Sequence, residues 1–163
     1  MHKHTPQRKT TRLQNYNYKT AGAYFITICT HNHMPIFGMI TDNKMELNHI
    51  GRIAEEEWIK TFELRPYLKI DQFVVMPNHL HALLWLDNKN AGGARSAPTA
   101  KCNNEKEQFL ETVHAKIESG SLSAVIRSYK AAVTKKVNAE AMVKHRLWQR
   151  GFYEHVVRKN ESL

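Results

Sequence analysis

Phe73-Val74-Val75-Met76-Pro77-Asn78-His79-Leu80-His81-Ala82-Leu83-Leu84-Trp85 is the stretch on which the fold turns. It reads as an apolar run, a Pro-Asn turn, and a second apolar run opening with two histidines. Successive strand side chains alternate in direction and two residues advance roughly 7 Å, so His79 and His81 share one face beside the turn. The other face, Leu80, Ala82, Leu84 and Leu86, is wholly apolar and must be buried. A strand backed by the core therefore presents two imidazoles, and two neutral imidazoles so placed can hold one divalent metal ion. A bare His-x-His is more often the wetter face of an ordinary strand; the Met-Pro-Asn turn in front singles this pair out.

Outward from this hairpin, the chain alternates strand and helix signals. Tyr24 to Cys29 is rich in β-branched and aromatic residues and predicts a strand. Strands are expected around Ile36 to Ile40 and Lys44 to Leu47, joined by the turn Thr41-Asp42-Asn43. Asn48 is placed to cap a helix with Ile50, Ile53, Ala54, Trp58 and Phe62 on one face, ending before Pro66. Leu68 to Met76 and His79 to Leu86 form the next pair, read as central because both sides are apolar. Gly120-Ser121 opens a second helix with Leu122, Val125, Ile126, Tyr129, Val133 and Val137 on one stripe, and Trp148 to Arg158 predicts a turn and a strand. The order implies an α+β fold, a ferredoxin-like antiparallel sheet with helices packed on one face. A basic tail over residues 1–19 precedes a single domain over 20–163, interrupted by a flexible loop or insertion at about 87–120, within which 108–118 could form a short helix.

The 163 residues carry a net charge of +9, and its distribution is uneven. The excess lies at the two ends, where basic groups are interleaved with aromatics: Arg8, Lys9 and Arg12 beside Tyr16 and Tyr18, and Arg150 and Arg158 around Phe152 and Tyr153. Cations neutralise phosphates while aromatic faces stack on unpaired bases, so the mixture suits single-stranded nucleic acid. Arg127 and Lys130, off the apolar stripe of the second helix, join the expected DNA contacts. Cys29 and Cys102 have no metal-ligand spacing, and nothing resembles a signal peptide or a bilayer-spanning run. Free thiols in a reducing cytoplasm, and no membrane partner, are expected.

Four segments taken in order, Gly22 to Ile28, Met76 to His81, Ile126 to Thr134 and Trp148 to Arg158, resemble the single-tyrosine HUH transposases, in particular the REP-associated tyrosine transposases. The resemblance implies cleavage and rejoining of single-stranded, hairpin-bearing DNA through a phosphotyrosine intermediate in DNA transposition. It also implies a divalent ion, Mg²⁺ or Mn²⁺, held by His79 and His81 to polarise the scissile phosphate, and a monomer or homodimer. In that family the nucleophilic tyrosine lies on a helix beyond the segment matching Trp148 to Leu163, so the chain reads as C-terminally shortened, its catalytic residue unknown. Tyr129 and Tyr153 are the internal substitutes; Tyr129 falls on the apolar stripe, and Tyr153 belongs to a segment suited to binding. His155 could approach the metal, and Asp71 is too far along its strand. The alternative is a catalytically inactive DNA-binding remnant. A metal-dependent hydrolase would need a carboxylate beside the histidines, which the sequence does not offer.

Overall fold

Alternation of buried and half-exposed residues makes Gly22–Cys29 the first strand, β1, with Tyr24, Ile26 and Ile28 fully buried. The computed structural model describes residues 17, 20–87, 120–141 and 146–158. After β1 come a short 3₁₀ turn at His31–His33, β2 (Gly38–Thr41), β3 (Lys44–Leu47), α1 (His49–Glu63), β4 (Leu68–Met76), β5 (His79–Leu86), α2 (Leu122–Glu140) and β6 (Tyr153–Val157). The main sheet has the order β4-β5-β1-β6 with every neighbouring pair antiparallel, while β2 and β3 form a separate two-stranded ribbon. With that ribbon taken as an insertion, the chain runs β-α-β-β-α-β, the ferredoxin-like arrangement expected from the order of elements.

Local chemistry accounts for most boundaries. Asn48 caps α1 by accepting a hydrogen bond from the Gly51 amide at 2.9 Å, and Ser121 does the same for α2 from Ala124 at 3.3 Å. Asp42 and Asn43 both take positive φ, 50° and 60°, as a two-residue hairpin requires. Two expectations need correction. The sequence predicts the second strand around Ile36 to Ile40, but it starts at Gly38, because Phe37 turns inward, is fully buried, and donates its amide to Pro77 O at 3.0 Å. Apolar content predicts a central position for the Leu68–Met76 strand, but β4 is an edge, because β1 pairs on the far side of β5.

One face of the sheet is dry. Tyr24, Ile26, Ile28, Leu80, Ala82, Leu84 and Leu86 meet Ile53, Ala54 and Trp58 of α1 and the full predicted stripe of α2 in a single core. Fully burying each large side chain contributes roughly 1.5–3 kcal/mol, so this layer holds the sheet rigid behind whatever its other face carries. The α1 terminus is pressed close to the preceding loop: a Cβ on Gly51 would stand 2.1 Å from Phe37 O. The opposite sheet face is open among the described residues, with Val74 44%, Trp85 52% and Tyr153 47% exposed. Expectations for residues 1–16, for the loop at 88–119 with its short helix, and for Cys102 lie outside the described residues. Asp87 donates its amide to Tyr67 O at 2.7 Å, where the expected loop begins.

Candidate functional site

The two histidines open β5 on the open face, half-buried, and the turn that delivers them is braced from behind. Pro77 O accepts from the Phe37 amide at 3.0 Å and Asn78 O from the Thr30 amide at 2.9 Å. Thr30, itself fully buried, also lies 2.9 Å from Asn78 O through its hydroxyl. Neither residue of the turn can shift without breaking these bonds, and His79 follows directly.

The rings stand edge to face, centroids 4.5 Å apart and planes inclined at 72°. Each ring has its Nδ1 engaged. Asn78 Oδ1 lies 2.7 Å from His79 Nδ1, while the other amide atom of Asn78 donates to His33 O at 3.3 Å. An amide oxygen only accepts, so His79 carries its proton on Nδ1 and keeps a lone pair on Nε2. Thr27 Oγ1 lies 2.8 Å from His81 Nδ1, and Phe25 stacks on the His81 ring at 5.3 Å. Burial, reinforced by the neighbouring His81 and His33 imidazoles, holds His79 below the ordinary histidine range. Neutral imidazole is the ligating form.

Register defines what surrounds the pair. Val74, His81, Thr27 and Tyr153 lie in one row across β4, β5, β1 and β6, and Gln72, Leu83, Phe25 and His155 in the next. Tyr153 is thus two strands from His81, roughly 10 Å at the backbone, with only Thr27 between. His155 is a row further from His79. Asp71 sits in a bulge between Ile70 and Gln72, roughly 17 Å along the strand from Met76, so it stays remote as expected. No set of three His, Cys, Asp or Glu side chains placed to hold one metal ion occurs among the described residues.

The remaining sequence candidates separate onto different sides. Tyr129 is core: it is 1% exposed, donates its hydroxyl to Ala54 O at 3.1 Å, and burial raises its pKa. Its hydroxyl is closed off from solvent and committed to the Ala54 carbonyl. Lys130, expected to face DNA, instead turns inward, donating to Gln149 O at 2.9 Å and to Gly151 O, with its ammonium 5.7 Å from the Trp148 ring. Burial pulls Lys130 down to about 8. Arg127 is exposed on α2, across the sheet from the histidines. Arg150 is exposed near the histidine end, since Gln149 N donates to Cys29 O and Cys29 pairs with His79. Arg158 is exposed at the opposite end, beyond Val157. Arg8, Lys9 and Arg12 lie outside the described residues. Cys29 is a free, buried thiol. Thr27, Asn78 and Phe25 are site residues without a chemical signature of their own, although all three lie within the Gly22–Ile28 and Met76–His81 segments.

This is a polar, rigid pair of metal-capable nitrogens on the open face of a ferredoxin-like sheet. An uncharacterized protein of Haemophilus influenzae is 34% identical over 155 residues, covering 95% of this chain and 81% of its own. The chain belongs to that protein's family. No family model matches. Among solved structures, a REP-associated tyrosine transposase bound to a REP hairpin superposes with a TM-score of 0.52 at 17% identity, over 90% of this chain. The chain spans 63% of the length of that protein, and the likeness shows a shared fold. A transposase structure described as putative, from Deinococcus radiodurans R1, pairs at a TM-score of 0.42 and 13% identity over 91% of this chain and 86% of its own, too distant to add to that. No described helix is long and apolar enough to cross a membrane.

Proposed function

We propose that this protein is a transposase-like DNA-binding protein that takes single-stranded, hairpin-bearing DNA across the open sheet face. The observation that carries the reading is the His79/His81 pair, with both Nδ1 atoms engaged on a rigid hairpin. The transposase fold and the four sequence motifs support it. His79 and His81 would hold a divalent ion, Mg²⁺ or Mn²⁺, which when bound supplies charge neutralisation and polarisation at a phosphodiester. Two protein nitrogens leave most coordination positions to phosphate oxygens and water, as suits a hard cation acting on a polyanion.

The chain's own residues prepare this site in three ways. Asn78 and Thr27 orient the imidazoles, burial keeps His79 unprotonated near neutral pH, and Arg150 lends positive charge at the same end of the sheet. For strand cleavage and rejoining, a tyrosine hydroxyl must reach the same phosphate. Of the described tyrosines, Tyr24, Tyr67 and Tyr129 are buried and Tyr153 is 47% exposed on the histidine face. The second reading, DNA binding without cleavage, is favoured by the position of that exposed hydroxyl, two strands away from His81 across the sheet.

The test is titration of labelled hairpin DNA with a single-stranded extension, alongside plain duplex, at several salt concentrations. We expect preference for the single-stranded form and an affinity falling steeply with salt, by a log–log slope of about 0.7 per phosphate contacted. Replacing Arg8, Lys9 and Arg12 by Ala should lower both. A preference for duplex, or no salt slope, would refute the assignment. Denaturing electrophoresis after incubation with Mn²⁺ separates the two readings. A protease-sensitive covalent adduct lost in Tyr153→Phe marks cleavage through that residue, and no adduct at all marks binding alone.

A further inference from the structure

Trp85 stands half in water on the open face, 52% exposed, at the other end of the strand that carries the histidines. Six residues separate it from His79, roughly 20 Å of strand. Its row across the sheet is Lys69, Trp85, Ala23 and Val157. Ala23, between them in the row, is small, so the floor drops between the indole and Val157. The resulting groove, of about 980 Å³, is lined by Lys69, Trp85, Val157 and Arg158 among others. It thus has an aromatic wall with two cationic side chains and the single carboxylate of Asp87 around it.

We propose that this groove is a second nucleic-acid subsite, in which Trp85 stacks an unpaired base while Lys69 meets the adjoining phosphate of the strand that His79 and His81 engage. The inference rests on the DNA-binding reading and adds to it a site remote from the metal-capable pair. Three observations commit the groove to single-stranded nucleic acid. Trp85 on β5 shares the open side of the sheet with a second exposed aromatic, Tyr153 on β6, the kind of placement by which four-stranded sheets stack unpaired bases. Lys69 lies directly opposite Trp85 and is exposed, setting a cation where a strand stacked on the indole would carry its backbone. The groove's own charged side chains, Lys69 and Arg158 against Asp87, leave it net positive, which favours a polyanion over an apolar protein surface. The distance between the two sites fits a footprint of about 4 nucleotides or more, within the range typical of single-strand-binding folds.

Fluorescence reads the groove directly. Of the three tryptophans, Trp58 is 0% and Trp148 7% exposed, so Trp85 is the one a soluble quencher reaches. Oligonucleotides of about 4 to 16 residues should shield it from acrylamide, and Trp85→Ala should weaken binding by about 5- to 100-fold. Trp85→Phe, which keeps a stacking face, should retain most of the affinity, and Lys69→Gln should reduce the salt slope by about 0.7. Anisotropy of labelled DNA keeps the two claims apart. DNA that binds while Trp85 stays quenchable, with Trp85→Ala unchanged, overturns the subsite and leaves the DNA-binding reading standing. No binding of single strands at all overturns both. Shielding of Trp85 by protein concentration alone, accompanied by self-association in sedimentation, identifies the face as a protein interface and overturns the subsite.

Discussion

Replacing Thr27 by Val removes one hydroxyl and nothing else of consequence. The substitution preserves volume and strand propensity at a half-buried position of β1. What it deletes is the 2.8 Å contact to His81 Nδ1. Side chains that hydrogen-bond the far nitrogen of a ligating imidazole typically carry 10- to 100-fold in metal affinity, equivalent to about 1.4–2.8 kcal/mol. The structure places the effect near the lower bound, because the His81 ring is also held by the Phe25 stack at 5.3 Å, a contact that survives without the hydroxyl. We therefore expect Mn²⁺ binding, followed by calorimetry or by the paramagnetic signal of the free ion, to weaken about 10-fold. His81→Ala in the same titration should abolish it, and Phe25→Leu with Thr27→Val together should exceed either alone. Unchanged Mn²⁺ affinity in Thr27→Val, with His81→Ala still silent, would refute the orienting role of the hydroxyl. Equal binding in all variants would refute the histidine pair as the metal site.

Tyr129→Phe should lower stability by about 1 kcal/mol, the usual net worth of one buried hydrogen bond, shifting the thermal midpoint by about 2–4 °C. DNA affinity should be unchanged, since the hydroxyl is spent on Ala54 O. Lys130 predicts a pH dependence: its pKa of about 8 in the fold lies below the value in the unfolded chain, so above that pH the unfolded state binds more protons. Stability should therefore rise from about pH 8 to about pH 10, read as urea midpoints, and Lys130→Met should flatten the rise. Gly51→Ala adds a good helix former yet drives a Cβ to 2.1 Å from Phe37 O, so a net loss of about 1–3 kcal/mol is expected in thermal unfolding.

Much of this protein was legible residue by residue because local rules sufficed. Asn48 and Ser121 announce helix starts through side chains that cap them, Asp42 and Asn43 announce a turn through their tolerance of positive φ, and the α2 stripe follows from a period of 3.6. Alternation alone placed His79 and His81 on a common face opposite Leu80, Ala82 and Leu84. Long-range pairing decided the rest. That β1 joins the far side of β5 makes β4 an edge, sets Thr27 against His81, and brings Tyr153 into the same row. No periodicity within one strand encodes its partner, because register depends on which apolar faces share a core. Lys130 shows the same limit: off the helix stripe it reads as solvent-facing, but the Gln149 to Gly151 segment folds over it and supplies carbonyl oxygens. Histidine placement, and Asn78 beside His79, were properties of the chain, whereas the Thr27 hydroxyl that meets His81, and the open aromatic face beside them, belong to the tertiary structure alone.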